Sequence, residues 1–534
     1  MSDLLRGQFA SDTVSRHFDD AALLAAMARF EAALAAAQAD AGVLPRPAAE
    51  RIERTAVAVC GTAAAVDPAH PPAVARRVAD PDDDPFAPGA LAEAARRAGT
   101  LAIPFVAALT DAVARDDADA ARWVHRGATS QDVVDTALVL QAGVAGAELQ
   151  AQLARVGDRL AALADAHRDT TMVGRTLLQP AVPIPFGWKL ACWLSPLPRA
   201  RVALSHALGD LRALQLGGAA GTRAAMRGDG DAVAAALAAR LGLADPGISW
   251  HGSRDRVARL GAELALAAGA MARIGGSRAR LMPGAVGEVF EPTGAGRGGS
   301  SAMPHKRNPV ASMLARQAGL RAPGLAATLL AQQAGEHERG LGTWQADWWT
   351  LGALFECAGS ATEAIGEALE GLRVQPGTMQ ANLERTRGFV FAEAVTVALA
   401  DALGKPLAHA TMERVCRAAL ERGESLRGAL TRACDADPVL AAALDAERLE
   451  ALFDARAHRG DADAMIDRTL AAWRAACTTA PGAHRHGACR ERRRAPGPPA
   501  RRRYTVVLPA PLRMRPAPMR GARRARTPRT GQDT

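Results

Sequence analysis

A seam of regularly spaced apolar residues is the feature that most restricts how this chain can fold. Leu149, Leu153, Val156, Leu160 and Leu163 follow one another at intervals of four, three, four and three residues. This spacing places all five side chains on one face of a long helix that packs in a bundle. Hydrophobic residues, mainly Ala and Leu, make up 49% of the chain and aromatic residues only 4%, which favours helices over sheets. The sequence therefore predicts an all-α protein.

Helical periodicity and loop-like stretches divide the chain into regions. We expect a helical N-terminal domain, a central helical-bundle domain that carries the functional loop, a smaller helical C-terminal domain and a tail. The tail is rich in Arg and Pro with almost no periodic apolar pattern, so it is predicted to be disordered. The expected bounds are 1–110, 111–370, 371–480 and 481–534.

The basic charge of the chain belongs to the tail. Residues 481–534 hold 15 Arg but only Glu491 and Asp533, a net charge of +13, whereas the whole chain carries +9. The rest of the chain is therefore mildly acidic. Only Tyr504 could supply aromatic stacking in the tail, so we do not expect nucleic-acid binding.

Cysteine usage and hydropathy indicate a cytoplasmic protein. The seven Cys are scattered, odd in number and free of CxxC spacing, as expected for reduced thiols. The N-terminus lacks the apolar stretch of a signal peptide, and no apolar run is long enough to span a membrane. Glu336-His-Glu-Arg339 lacks the second His of a zinc motif, and His484, His486 and Cys489 lie in the tail. We expect no metal and no cofactor.

The segment from Thr293 to Pro309 is rich in glycine and contains side chains that could act in catalysis. Glycines at 294, 296, 298 and 299 precede Ser300 and Ser301, and Lys306 and Asn308 follow. Lys occurs only at positions 189, 306 and 405. A helical pattern begins directly after Pro309, and the free N–H groups at a helix N-terminus favour anions. A Gly-rich surface linker is the bland alternative.

Three further stretches place polar residues or glycines next to predicted helices. The stretch His125-Arg-Gly-Ala-Thr-Ser-Gln-Asp132 precedes a helical pattern, so Thr129 or Ser130 could simply be its N-cap. Gly174-Arg-Thr-Leu-Leu-Gln-Pro-Ala-Val-Pro183 follows that helix. Gln215–Thr222 is either a substrate-side turn or a helix C-cap, and His251 is more readily a capping or core residue.

Three of these stretches together resemble the fumarase/aspartase superfamily. Gly299–Pro309 matches its signature Gly-Ser-Ser-x-Met-Pro-x-Lys-x-Asn-Pro at every fixed position, and 125–132 and 174–183 resemble the other two active-site regions. The resemblance covers about residues 5–475 and implies α-helical homotetramers whose bundles associate. Each active site would draw one region from each of three subunits. Many members carry His where this chain has Leu177.

The resemblance also implies roles for individual residues. Superfamily members add or remove groups β to a carboxylate through a carbanion, which needs a base and cationic donors. Ser300 is expected to carry the proton, with Ser301 and His125 as further catalytic candidates and Lys306 beside them. Polycarboxylate substrate is expected to be held by Thr129, Ser130, Gln131, Asn308, Arg175 and Gln179.

Lactonisation of 3-carboxy-cis,cis-muconate is the superfamily reaction that suits this chain best. An internal carboxylate needs no protonation to leave in the reverse direction, so the imidazole missing at position 177 is tolerable. The expected role is in the protocatechuate branch of the β-ketoadipate pathway. An adenylosuccinate- or argininosuccinate-type lyase is the alternative, and an inactive crystallin-like scaffold is an alternative of another class.

Overall fold

The structure is a computed structural model that describes residues 3–60, 84–292, 298–299, 303 and 306–479. Two predictions fall outside these residues. They concern the disordered tail and the serines Ser300 and Ser301. The described residues belong to one compact unit of the chain.

The prediction of an all-α protein is confirmed. Within the described ranges, α-helices and short 3₁₀ turns are interrupted by just two small antiparallel strand pairs, β1 with β2 and β3 with β4. No described helix is long and apolar enough to cross a membrane. The strands are β1 (Thr171–Thr176), β2 (Gln179–Pro185), β3 (Val289–Phe290) and β4 (Arg373–Val374).

The N-terminal helices share a second hydrophobic core with the first turns of the helix Ser130–Ala166 and with the helix Gly230–Leu241. Phe30, Leu34, Phe105 and Leu109 are buried in it, and Trp344 from a later helix joins them. These helices are α1 (Asp3–Phe9), α2 (Asp12–Ser15), α3 (Asp20–Asp40), α4 (Arg46–Cys60), α5 (Pro88–Ala98), α6 (Ala102–Ala114) and α7 (Ala118–Ala121).

The largest core lies between long helices of the central region. All five residues of the predicted seam are buried in it. Thr129 is the N-cap of the helix that carries the seam, and its N–H donates to the Asp132 side chain. The helices are α8 (Ser130–Ala166), α9 (Phe186–Leu194), α10 (Leu197–Leu211), α11 (Gly230–Leu241), α12 (Asp255–Ala279), α13 (Val310–Ala331) and α14 (Thr343–Glu370).

Close contacts define how the long helices run. Gly261 near the start of α12 faces Leu329 near the end of α13, and Gly275 near the end of α12 faces Ser312 at the start of α13. These two helices are therefore antiparallel. We call the side with the N-terminal ends of α8, α12 and α14 the first end of the bundle. The second end holds their C-terminal ends, the start of α13 and strands β1–β4.

The last helix packs on the bundle rather than on the C-terminal core. Trp473 is buried against α8, where its indole N–H donates to Asp158 at 2.8 Å. A separate core forms around Val395, Leu399 and Leu430. The helices of this region are α15 (Pro376–Arg385), α16 (Ala392–Leu403), α17 (Lys405–Arg422), α18 (Leu426–Ala436), α19 (Pro438–Ala443), α20 (Ala446–Leu452) and α21 (Ala462–Thr479).

Docking of α21 should depend on the absence of a side chain at Gly157. A Cβ there would lie 2.1 Å from the Trp473 ring, so Gly157→Ala should lower the free energy of unfolding by about 1–3 kcal/mol. Gly143 lies on the same helix with nothing within 4 Å, so Gly143→Ala should raise it by up to ~1 kcal/mol. Urea unfolding of both variants tests this, and equal effects would contradict the packing.

Candidate active site

Arg339 joins three of the predicted substrate-binding side chains at the first end of the bundle. It donates from Nη1 to Thr129 Oγ1 at 2.8 Å, from Nη2 to Ser130 Oγ at 3.1 Å and from Nε to Gln131 Oε1 at 3.3 Å. Its guanidinium also lies over the Trp344 ring at 5.7 Å. A half-buried cation and two hydroxyls therefore converge at the N-terminus of α8, an arrangement suited to a carboxylate.

Gln131 orients this cluster from beneath. Its side chain is fully buried, and Nε2 donates to Asp135 at 3.1 Å and to the His251 carbonyl at 3.0 Å. Both amide donors are thus used within the protein, and the remaining oxygen holds Arg339. In this structure Gln131 positions the cation; its predicted direct contact with substrate stays a prediction.

Asp132 ties the start of α8 to two other segments. Its carboxylate accepts hydrogen bonds from the N–H groups of Thr129, Gly217 and Gly218, each at 2.9 Å, and lies 2.7 Å from His251 Nε2. Gly218 has φ +70, and a Cβ there would lie 2.9 Å from the Gly127 carbonyl oxygen. The backbone of the 215–222 stretch therefore binds the carboxylate of Asp132. His251 is a core residue that contacts the same carboxylate.

A buried ion network lies directly behind the cluster. Arg254 donates to both oxygens of Asp135, at 2.7 and 2.9 Å, and from Nε to Asp347 at 2.7 Å. It also lies 4.9 Å from the centre of the Trp250 ring. Burial raises the pKa of Asp347 to about 6, with the charge of Asp135 adding to the effect and Arg254 opposing it. The network joins the starts of α8, α12 and α14.

His125 is held in an ion pair with Glu31. Its Nδ1 lies 2.6 Å from Glu31 Oε1, and the residue adopts a left-handed conformation with φ 57. Burial by itself lowers the pKa of His125, but the charge of Glu31 and the hydrogen bond to it reverse this, so the pKa is raised. Glu31 thus fixes the orientation of the His125 ring.

The second predicted region forms the hairpin β1–β2 at the second end. Arg175 makes a two-pronged ion pair with Glu288, at 2.9 and 2.7 Å, and Gln179 is exposed. At the tip, Leu177 and Leu178 are 97% and 71% exposed and both have positive φ. Left-handed leucines are costly, and such strain is concentrated at functional sites. The hairpin was not predicted, because its prolines and its Leu-Leu turn lack the usual hairpin signals.

The third predicted region lies on the same end. Lys306 is exposed and Asn308 half-buried, and the Asn308 N–H donates to the Gly298 carbonyl at 3.0 Å. Ser300 and Ser301 lie outside the described residues. The prediction that the helix N-terminus beyond Pro309 is open to an anion is wrong. Glu291 already accepts from its N–H groups at Ala311 and Ser312, each at 3.0 Å.

The predicted residues thus form clusters at opposite ends of the bundle. Thr129 begins α8 and the hairpin follows its last turn; at 1.5 Å per residue, a helix of 37 residues is about 55 Å long. Within the described ranges, no hydrogen bond or ion pair links Arg175, Lys306 or Asn308 to the cluster around Arg339. Nor does any group of three or more His, Cys, Asp or Glu in those ranges have a metal-binding arrangement.

Sequence reasoning missed Arg339, Glu31 and Glu291. Arg339 lies in the stretch that we considered only as a zinc motif, although an Arg next to glycines between two helices is itself a candidate for binding anions. Glu31 is one acidic residue within the apolar pattern of α3, and it is buried. An acidic residue on an otherwise apolar face was the available signal, because buried carboxylates need partners.

In comparisons with known proteins, one family match contains all three motif regions. A family model described as "Lyase" matches residues 92–324, and one described as "Adenylosuccinate lyase C-terminus" matches residues 388–469. The 3-carboxy-cis,cis-muconate cycloisomerase of Bradyrhizobium diazoefficiens is 44% identical, with the match covering 88% of this chain and 98% of that protein. A nitrosuccinate lyase of Streptomyces davaonensis is 39% identical, over 88% and 94%.

Solved structures give the same result. The crystal structure of the 3-carboxy-cis,cis-muconate lactonizing enzyme from Pseudomonas putida matches with a TM-score of 0.79 at 37% identity. The match covers 89% of this chain and 100% of that one. The likeness therefore extends over the N-terminal helices, the bundle and the C-terminal helices together.

Arg339 should hold a carboxylate at the first end. Arg339→Gln should weaken the binding of small di- and tricarboxylates, succinate and citrate among them, by at least about tenfold, because charged hydrogen bonds contribute ~1.5–3 kcal/mol. Arg417→Gln, which removes an exposed surface charge on α17, is the control and should leave binding unchanged. Calorimetry measures both. Tighter binding by Arg339→Gln would show that Arg339 blocks the site.

Proposed function

We propose that this chain, which belongs to the fumarase/aspartase superfamily of lyases, is a 3-carboxy-cis,cis-muconate cycloisomerase. The observation that carries the proposal is the 44% identity with the Bradyrhizobium diazoefficiens cycloisomerase over 98% of that protein's length. The reaction converts 3-carboxymuconate to 4-carboxymuconolactone, in the protocatechuate branch of the β-ketoadipate pathway. A small polycarboxylate is the substrate, and no metal or cofactor takes part.

The reaction is an intramolecular addition. One substrate carboxylate attacks the alkene, and the carbanion that develops at Cα receives a proton, which closes the lactone. In the reverse direction the leaving group is a carboxylate, which is stable as an anion and needs no general acid. The apolar Leu177 at the exposed hairpin tip supports this reaction over one that expels an amine.

The two ends of the bundle offer complementary parts of the site. Arg339, Thr129 and Ser130 form a donor set for one substrate carboxylate. Lys306 and Asn308 are exposed or half-buried and supply charge and an amide for the carboxylate that takes up the carbanion charge. Ser300 carries the proton. With the N-terminus of α13 occupied by Glu291, the stabilising charge comes from these side chains rather than from the helix dipole.

We infer that a complete site is assembled from several copies in a homotetramer. The helix of about 55 Å between the first cluster and the hairpin supports this, because one chain does not bring the two together. Large apolar side chains are also exposed on the central helices, including Leu266 on α12 and Leu320 and Leu330 on α13. Exposed apolar surface on bundle helices is typical of subunit interfaces.

A cytoplasmic location belongs to the same proposal. Five cysteines have described side chains, and all five are free thiols: Cys192, Cys357, Cys416, Cys434 and Cys477. This agrees with a reducing compartment.

An adenylosuccinate-type lyase is the second candidate, favoured by the match of residues 388–469 to the adenylosuccinate lyase C-terminus. That region contains none of the predicted site residues. It therefore speaks for a shared C-terminal fold more than for a shared substrate. The similarity to a nitrosuccinate lyase makes nitrosuccinate a further substrate to test.

The purified chain should convert 3-carboxymuconate and leave adenylosuccinate, argininosuccinate and nitrosuccinate unchanged. Lactonisation removes a conjugated double bond, so loss of ultraviolet absorbance follows the reaction. Ser300→Ala should lower kcat by at least ~10³-fold, about 4 kcal/mol of barrier. Ser205→Ala on α10 is a matched control and should keep wild-type activity. Turnover of one of the other three substrates, without turnover of 3-carboxymuconate, would contradict the proposal. Full activity in Ser300→Ala would show that Ser300 is not the proton carrier.

A further inference from the structure

The carboxylate of Glu291 lies between the two ends of the segment that carries Ser300. Glu291 follows strand β3, directly before residues 292–309. Helix α13 begins at Val310, directly after these residues, and Ala311 and Ser312 are its second and third residues. Its Oε2 accepts from the Ala311 N–H at 3.0 Å. Its Oε1 accepts from the Ser312 N–H at 3.0 Å and from Ser312 Oγ at 2.9 Å. One side chain thus links the end of β3 to the first turn of α13.

A buried cation fixes the other side of this carboxylate. Arg278, which is fully buried near the end of α12, donates from Nη2 to Glu291 Oε1 at 2.9 Å and to Ser312 Oγ at 3.0 Å. Glu291 itself is 7% exposed. A buried ion pair with several hydrogen bonds has little freedom to move. The anchor therefore connects α12, β3 and α13.

Helix α13 depends on Glu291 for its N-terminal cap. Its N-cap is Pro309, and no side chain at that position accepts a hydrogen bond. Glu291 supplies two backbone acceptor contacts from about twenty residues upstream, and its negative charge also suits the positive end of the helix dipole. The start of α13, and with it Asn308 and Lys306 just before it, is therefore placed by a residue outside the helix.

Further contacts of described residues lie next to the link that Glu291 makes between β3 and α13. The Arg307 guanidinium lies 5.5 Å from the centre of the Phe290 ring, which belongs to β3. The Asn308 N–H donates to the Gly298 carbonyl, and Asn308 Nδ2 reaches the Gly299 carbonyl at 3.4 Å. Gly298 and Gly299 are thus tied to Asn308, directly before α13.

We propose that Glu291 is a positioning residue that clamps the start of α13 to strand β3 and so places Lys306 and Asn308 for the reaction. This inference rests on the proposed function, in which both residues act on the carboxylate that takes up the carbanion charge. Both carboxylate oxygens accept from donors. An amide in its place would turn an NH₂ group toward N–H groups or toward Arg278.

Glu291→Gln tests the clamp by two measurements on the full-length protein. Trypsin sites at Lys306 and Arg307 lie directly before α13, and their cleavage rate should rise by at least about tenfold when the start of α13 is no longer held. The kcat for 3-carboxymuconate should fall by at least about tenfold while KM changes less than about threefold, because misplaced donors lose mainly transition-state stabilisation. Glu291→Asp keeps the charge and should recover part of both losses.

Asp437→Asn is the matched control. Asp437 also accepts from two backbone N–H groups at a helix start, those of Val439 at 2.9 Å and Leu440 at 3.4 Å, but it lies on α19 in the C-terminal region. Asp437→Asn should leave both kcat and the rate of cleavage at Lys306 and Arg307 unchanged. Wild-type kcat and cleavage rate in Glu291→Gln, with only a lower melting temperature, would overturn the proposal and leave Glu291 a stabilising cap.

The two proposals fail in different ways. A wild-type protein that does not turn over 3-carboxymuconate contradicts the proposed function. The protease measurement then still decides whether Glu291 clamps the start of α13, because this measurement needs no substrate. If Glu291→Gln loses activity but its cleavage rate equals that of wild type, the clamp is overturned although the reaction stands.

Discussion

The ion network of Arg254 with Asp135 and Asp347 is the interaction on which the first end of the bundle depends. It joins the starts of α8, α12 and α14 in a fully buried position, where removal of one partner typically costs 3–5 kcal/mol. The same Asp135 accepts from Gln131, and Gln131 in turn holds Arg339. The placement of the cation at the candidate site is therefore determined by the packing of three long helices.

The length of those helices sets the second constraint. Rigid helices that start at one common level carry Thr129 and Arg339 to one end, and the hairpin and the Glu291 clamp to the other. A chain built this way cannot fold its three motif regions onto one another. In the homotetramer that we propose, association of several copies would bring these regions together, and the exposed leucines on α12 and α13 are available for it. On this proposal, the long bundle and a site divided between copies are two consequences of one sequence pattern.

The sequence predicted the helical class and the seam well, because helical periodicity is a local signal. The five seam residues between 149 and 163 show this periodicity, and all of them are buried. It also indicated Thr129 or Ser130 as a helix cap, and the structure shows that Thr129 is the N-cap of α8. It did not predict the hairpin, whose left-handed Leu177 and Leu178 carry no turn signal. Nor did it predict that Glu291 fills the N-terminus of α13 or that Arg339 meets Thr129, because these contacts join residues far apart in the chain. Pairings of this kind depend on tertiary packing, which a single sequence does not display.

The division of each site between copies is tested most directly by combining two inactive variants. Ser130→Ala/Arg339→Gln disables the first cluster and Ser300→Ala the third, and the two chains are co-expressed with different affinity tags and purified through both. If clusters from different copies meet, about a quarter of the sites in randomly mixed assemblies receive two intact clusters, so the mixture regains about a quarter of wild-type activity. Activity no higher than that of the two variants measured apart would show that each site lies within one chain.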